Sequence, residues 1–343
     1  MFLKDIIIPK STKDFIINKD AIIKISKFFD KDFIPNLYIF GPPGTGKYTL
    51  FIKNLEDITN SKEISINFKT INISNQWASL KETTIPSSEY HFEINLSKYS
   101  NNRNNLFSII DALTESREIN SKLDYKIILI RNIHIASVEF VKFIKQKAES
   151  LTDYVRFIVI GNTNSINMTT LNGVFFNFRV KSPSVENIKE AIITMKKNKN
   201  FTYSKRDLNK INLDKLIKDN NRNLHYIVNK LEMLLLNNNF YKSRLDTTID
   251  KICKLLIDKK LSNLNEIREI LYDYQINNED INVLLKNILN YFSNVCEIFD
   301  DTKKMKLTRL ISVSNHNLQK SYKEIVHIED LFFKIFTLIH LNK

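Results

Sequence analysis

A short apolar segment, Leu37–Phe40, runs directly into Gly-Pro-Pro-Gly-Thr-Gly-Lys at residues 41–47, and a helical pattern follows. In this G-x-x-x-x-G-K spacing, glycines let successive backbone N–H groups turn toward one anion at the start of a helix, whose dipole favours negative charge. Three of the five glycines in the 343-residue chain fall in this stretch, so chance is a poor explanation. The segment predicts a strand, a phosphate-binding loop (P-loop) and a helix, with Lys47 reaching the outer phosphates.

The residue after the P-loop lysine departs from this pattern. A Ser or Thr there holds Mg²⁺ beside the phosphates, but this chain has Tyr48, whose phenol cannot take the place of that hydroxyl. Thr49 comes one residue later, which on a helix is a rotation of about 100°. The binding of Mg²⁺ is therefore in doubt. We expect the nucleotide to contact Gly41, Pro42, Pro43, Gly44, Thr45, Gly46, Lys47, Tyr48 and Thr49.

Strand and helix patterns alternate up to about residue 183. Ile127–Ile130 and Phe157–Ile160 are continuous apolar runs, as expected for strands buried on both faces of a parallel sheet. The order predicts a doubly wound α/β domain with its ligand at the carboxyl ends of the strands. Ile64–Ile73 alternates in two phases and favours an inserted ribbon. The predicted strands are Leu37–Phe40, Ile64–Ile73, Tyr90–Leu96, Lys126–Ile130, Val155–Ile160 and Phe175–Val180.

Helical patterns alone follow residue 183. Ser184 is placed to cap the first helix, and Asn263 with Glu266 forms a capping-box pattern further on. We interpret Tyr241–Thr248 as a polar connector and Tyr322–Leu341 as a largely apolar helix, buried in a bundle or against another subunit. The predicted domains are residues 1–183, 184–240 and 250–343.

Short segments along the whole chain share their order and spacing with one family. They are Ile34–Leu37, Gly46–Thr49, Tyr90–Asn95, Lys126–Leu129, Arg179-Val180 with Pro183–Glu186, and Arg222–Leu224. Together they resemble the small subunits of replication factor C, the AAA+ sliding-clamp loader, and within it the subunit described as catalytically degenerate. The resemblance implies an AAA+ P-loop domain, a small helical lid domain and an all-helical collar domain. It also implies a hetero-oligomeric ring formed through the C-terminal helices, with the sliding clamp and primer–template DNA as partners.

The acidic residues of a P-loop ATPase belong at the end of Lys126–Ile130, where the family pattern is D-E-x-D. Here Arg131, Asn132 and His134 occupy those places. A cation at position 131 repels Mg²⁺, and an amide cannot accept a proton from water. His134 can bond a phosphate, although a surface or helix-start histidine is the simpler interpretation.

Two further catalytic elements of the family are replaced. Gly173-Val174-Phe175 stands where an arginine finger is expected, and His225 stands at the sensor-2 arginine. Arg179 lies on a predicted strand and is not a finger. Asn162 matches the family's sensor-1 position, which implies a contact with the γ-phosphate of the nucleotide, with a turn-forming Asn as the alternative. We therefore expect no catalytic residues, and ATP or ADP held without turnover.

The helices that line the DNA channel in this family carry several cations here. With a net charge of +13 and a pI of about 9.4, the chain suits a polyanion partner. A solvated lysine face and a compositional excess of lysine remain alternatives. The predicted phosphate contacts are Arg103, Ser137, Lys142, Lys145 and Lys147.

Composition limits the compartment and the class of protein. Cys253 and Cys296 show no metal-site or disulfide spacing, and Ile6–Ile8 is too short for a signal peptide. We expect a soluble intracellular protein without membrane contact, in the nucleus or, if viral, at the site of viral DNA replication. The leading hypothesis is a non-hydrolysing clamp-loader small subunit. An active AAA+ ATPase with a Thr49-based metal site and a DNA-independent scaffold remain alternatives.

Overall fold

The computed structural model describes residues 3–30, 33–73, 82–98, 103–115, 123–163, 166–196, 211–237, 244–276, 281–294, 299–320 and 324–340. The chain divides into two compact units, Met1–Asn239 and Phe240–Lys343. The separation of the first unit into a P-loop domain and a lid stays a prediction. Among the described helices, none is long and apolar enough to cross a membrane.

A seven-stranded sheet forms the centre of the first unit, in the order β2-β3-β4-β5-β6-β1-β7. The last five strands in that order pair in parallel, whereas β2, β3 and β4 pair antiparallel. This confirms the predicted α/β fold. The strands are β1 Leu37–Phe40, β2 Asn67–Asn72, β3 Glu82–Ser87, β4 His91–Asn95, β5 Lys126–Arg131, β6 Val155–Gly161 and β7 Phe176–Arg179.

Helices cover both faces of the sheet, because β5 and β6 present apolar side chains to each side. Helices α2 (Lys19–Ser26) and α3 (Lys47–Thr59) pack on one face, around Phe51 and Ile158. Helices α4 (Arg103–Glu115) and α5 (Val138–Ser150) pack on the other. The P-loop helix α3 is thus held against the buried centre of the sheet.

The predicted ribbon at Ile64–Ile73 is confirmed as an antiparallel pair at the sheet edge. Its first strand is β2, which is largely exposed, and its partner is β3. We did not predict β3, because Glu82–Ser87 contains Pro86 and lacks a clear apolar alternation.

Three short helices and α1 (Leu3–Ile7) form a separate apolar cluster in the same unit. They are α6 Val185–Lys196, α7 Leu213–Asp219 and α8 Leu224–Asn237. Ser184 caps α6 as predicted, since its Oγ accepts a hydrogen bond from the Asn187 N–H at 3.1 Å. The Leu3 N–H donates to Glu232 Oε1 at 3.1 Å and anchors α1 to α8.

The second unit is a bundle built around one apolar core. The connector predicted at Tyr241–Thr248 is wrong, because a helix already begins at Arg244 and buries Ile249 within its second turn. The predicted capping box is also absent, since the Asn263 N–H donates to Lys260 O at 3.2 Å rather than to Glu266. Cys253 is buried as expected, and Cys296 lies outside the described residues. The helices are α9 Arg244–Ile257, α10 Asn263–Ile276, α11 Ile281–Asn294, α12 Asp301–Lys320 and α13 Glu324–His340.

Candidate nucleotide site

Lys47 is the first residue of α3 and turns its side chain back over the P-loop. Its Nζ donates to the carbonyl oxygens of Gly41 and Pro42, each at 2.7 Å, and lies 3.3 Å from Asn162 Oδ1. Asn162 follows β6, the neighbour of β1, so parallel pairing brings it to the loop. Burial lowers the pKa of Lys47 to about 8. An anion in the loop would gain from this partly desolvated cation.

The P-loop is shaped by close contacts that only glycine allows. A Cβ at Gly41 would lie 2.1 Å from Val180 O, and one at Gly44 would lie 1.8 Å from Asn223 Oδ1. The Leu224 N–H also donates to Gly44 O at 3.2 Å, so the start of α8 sits directly on the loop. Asn18 reaches the other side, with Nδ2 3.2 Å from Thr45 O.

His134 belongs to this site, contrary to our simpler interpretation of a surface histidine. It lies in the short turn Ile133–Ile135 after β5 and is half-buried. Its Nδ1 is 3.3 Å from the Asn162 backbone nitrogen, and its Nε2 is 3.1 Å from Asn162 Nδ2. Burial and the nearby Lys47 charge both lower the pKa of His134, which favours a neutral ring at pH 7.

Tyr48 and Arg131, from the two positions where the metal ligands are expected, are in direct contact. The Arg131 guanidinium carbon lies 4.4 Å from the centre of the Tyr48 ring. Its Nη1 is 3.6 Å from Glu93 Oε2, and the Tyr48 hydroxyl also faces the Glu93 carboxylate. The three side chains form one cluster, which we call the Tyr48–Arg131–Glu93 cluster.

Sequence reasoning missed the part that Glu93 takes in this site. Glu93 is buried on β4, opposite Leu129 in register, and its charge within an apolar strand was the available signal. Burial acts to raise its pKa, but contacts with His91 and Tyr48 and the charge of Arg131 prevail, so the pKa lies below the ordinary value. Burial and the Glu93 carboxylate raise the pKa of the Tyr48 phenol. The cluster therefore holds an ionised carboxylate, a neutral phenol and a cation.

The donor set at this position does not fit a divalent cation. Mg²⁺ requires oxygen ligands in octahedral geometry, but the nearest carboxylate is engaged by Arg131. Asn132 turns toward β4, where its Nδ2 donates to Asn95 Oδ1 at 2.8 Å and Ser97 Oγ at 3.0 Å. Over the described ranges, no group of three acidic, His or Cys residues could hold a metal ion.

Within the described part of the chain, the residues at the family's arginine-finger and sensor-2 positions do not contact Lys47 or the Tyr48–Arg131–Glu93 cluster. Val174 and Phe175 form a turn before β7, and Arg179 is exposed at the end of that strand. His225 lies in the first turn of α8, where its N–H donates to Asn223 Oδ1 at 3.1 Å.

The predicted DNA contacts on α5 differ in how available they are. Lys142 is exposed and Lys145 is half-buried, whereas Lys147 forms a 2.7 Å ion pair with Asp111. Ser137 caps α5, with its Oγ 3.3 Å from the Phe140 N–H. Arg103 begins α4.

A P-loop between the parallel strand β1 and α3, with the start of α8 against the loop, defines a P-loop nucleotide-binding fold. No protein-family model matches the chain. A putative replication factor C small subunit of Acanthamoeba polyphaga mimivirus is 26% identical, covering 98% of this chain and 90% of that protein. Replication factor C subunit 3 of Arabidopsis thaliana is 22% identical over 96% of this chain and 95% of the relative.

A third relative, replication factor C subunit 5 of Saccharomyces cerevisiae, is 22% identical over 88% of this chain and 89% of the length of that protein. Among solved structures, the Bacillus subtilis DNA clamp loader delta protein covers 93% of this chain and 99% of its own, with 12% identity and a TM-score of 0.32, too low to assign function. The homologues of this chain are replication factor C small subunits, which supports a clamp-loader small-subunit function.

We expect Gly44→Ala to destabilise the first unit by about 1–3 kcal/mol, because it combines a left-handed φ of +72° with a clash against Asn223. Gly173→Ala is the matched control, since Gly173 has a φ of +88° and open space around it. Urea unfolding of both variants, with and without Asn223→Ala, measures the difference. Equal losses for Gly44→Ala and Gly173→Ala would contradict the docking of α8 on the loop.

Proposed function

We propose that this chain is a non-hydrolysing small subunit of a sliding-clamp loader that holds ATP or ADP without turnover. The observation that carries the proposal is the contact between Tyr48 and Arg131. It joins the two positions from which a P-loop ATPase holds Mg²⁺, and neither side chain offers that metal a free oxygen. The names of the relatives supply the clamp-loader context.

Hydrolysis also needs a group that orients water and positive charge supplied by a neighbour. At the predicted base position, Asn132 is bonded to Asn95 and Ser97 rather than directed at the P-loop. Val174 stands in the finger position, and loss of such a finger can cost about 10³–10⁵ in rate. These features argue against hydrolysis and give no support to a Thr49-based active site.

The partners of the proposed subunit are the other clamp-loader subunits, the sliding clamp and primer–template DNA. The helices of the second unit would join the ring, and Met305, Val313 and Phe333 expose large apolar side chains there. The nucleus, or the site of viral DNA replication for a virus-encoded chain, is the expected place of action. A DNA-independent scaffold remains the second candidate, because Lys147 is already paired with Asp111.

Phosphate release from ATP tests the catalytic part of the proposal. We expect the purified chain to show the same rate as its Lys47→Ala variant, and the assembled complex to keep its rate when this subunit carries Lys47→Ala. Native mass spectrometry of the same samples checks assembly and bound nucleotide. A fall in turnover caused by Lys47→Ala in an intact complex would disprove the absence of hydrolysis.

Nucleotide affinity should depend on pH through Lys47. Its pKa in the free protein is about 8, and a bound anion raises that pKa, so binding takes up a proton above pH 8. The Lys47 contribution is thus complete below about pH 8 and decreases as the pH rises further. Calorimetric titrations with nucleotide at several pH values measure this dependence. The Lys47→Met variant is the control, and we expect it to bind more weakly and to show no change of affinity with pH above 8. An affinity that rises with pH would contradict the assignment.

Duplex DNA binding should depend on Lys142 more than on Lys147. We expect Lys142→Gln to weaken binding about equally for all sequences and to reduce the salt slope by about 1. Lys147→Gln serves as the control of equal charge change, because its ammonium is bonded to Asp111. Salt titrations of the complex on primer–template DNA give both slopes. Binding that is unaffected by either change favours the DNA-independent scaffold.

A further inference from the structure

The contact between Tyr48 and Arg131 joins the two sequence positions that supply metal ligands in a P-loop site. In that site, one ligand follows the P-loop lysine and the acidic ligand ends a nearby strand of the sheet. Here the same two positions lie on α3 and at the end of β5, and their side chains meet at 4.4 Å. The guanidinium therefore lies against the ring of Tyr48, the residue next to the P-loop lysine.

The Arg131 side chain is held in place from two directions. The Tyr48 ring supports the guanidinium plane, and Glu93 lies 3.6 Å from one of its nitrogens. An arginine has five N–H donors, and stacking leaves those on its edge available. The side chain is 36% exposed, so it can still meet a ligand. Its donors are thus oriented before any anion arrives.

The formal charge also matches that of a metal-bound site. Mg²⁺, a lysine and two carboxylates carry a net charge of about +1 in a P-loop ATPase. Lys47, Arg131 and the ionised Glu93 carry the same net charge here, with a neutral His134 beside them. A nucleotide phosphate would therefore meet a similar local charge without a metal.

We propose that Arg131 replaces Mg²⁺ at the phosphates, so that this chain binds a nucleoside di- or triphosphate in its metal-free form. Guanidinium groups bond phosphate oxygens with two parallel hydrogen bonds, whereas Mg²⁺ would compete for the same oxygens. Glu93 is a positioning residue that orients Arg131 from behind. The inference rests on the proposed retention of nucleotide and adds to it the chemical form of the ligand.

Binding of ATP and ADP to the full-length chain, with excess EDTA or with excess Mg²⁺, tests the inference. We expect the affinity in EDTA to equal or exceed the affinity in Mg²⁺. A lower affinity in EDTA would overturn the inference, as would the absence of binding in both conditions. This comparison uses the unmodified chain and does not depend on whether a variant folds.

Substitutions then test the part played by Arg131. Arg131→Gln should weaken binding in EDTA by about tenfold or more, in line with the loss of a charge-assisted phosphate contact. Arg309→Gln in α12 is the control, because it makes the same change on the second unit. The double variant Tyr48→Thr/Arg131→Asp should bind more tightly in Mg²⁺ than in EDTA. Unchanged EDTA affinity in Arg131→Gln, or no metal dependence in a folded double variant, would overturn the assignment.

Glu93→Gln separates positioning from direct contact. We expect the variant still to bind ATP and ADP in EDTA. Its affinity for both should fall more steeply with increasing salt than that of the unmodified chain. Identical salt dependence would remove Glu93 from the proposal. Phosphate release in the same samples keeps the two proposals apart: turnover would refute the proposed function, whereas metal-dependent binding without turnover would refute only this inference.

Discussion

The parallel pairing of β1, β6 and β5 determines which side chains lie at the P-loop edge of the sheet. Phe40 pairs with Gly161 and Arg131 with Ile160, so the strands end side by side and deliver their following residues to one edge. A slip of one residue would turn every side chain to the opposite face. Asn162 therefore reaches Lys47, and Arg131 ends the strand beside β6, because the sheet register is fixed by apolar side chains buried on both faces.

The departures from an ATPase site are physically coupled. Arg131 in a partly buried place needs a carboxylate and a surface to pack on, and Glu93 and Tyr48 supply them. A small hydroxyl residue at position 48 would leave the guanidinium without its stacking partner. The Tyr48–Arg131–Glu93 cluster thus links these departures in one set of side-chain contacts.

Sequence reasoning predicted the elements whose side chains face a core. The buried strands β1, β5 and β6 and the largely apolar helix α13 lie close to where their apolar patterns placed them. It missed β3 and the start of α9, which are rich in polar residues. In those elements, few side chains are buried, so pairing and packing with neighbours decide the conformation more than local pattern does.

The sequence by itself determined the P-loop, the α/β order and the absence of acidic residues after β5, because these follow from residue type and short spacing. Only the tertiary structure decided that Glu93 supports Arg131, that His134 touches Asn162 and that α8 rests on Gly44. These contacts join residues far apart in the chain. Sheet register and helix packing determine which of these distant residues touch, and no local sequence pattern encodes either.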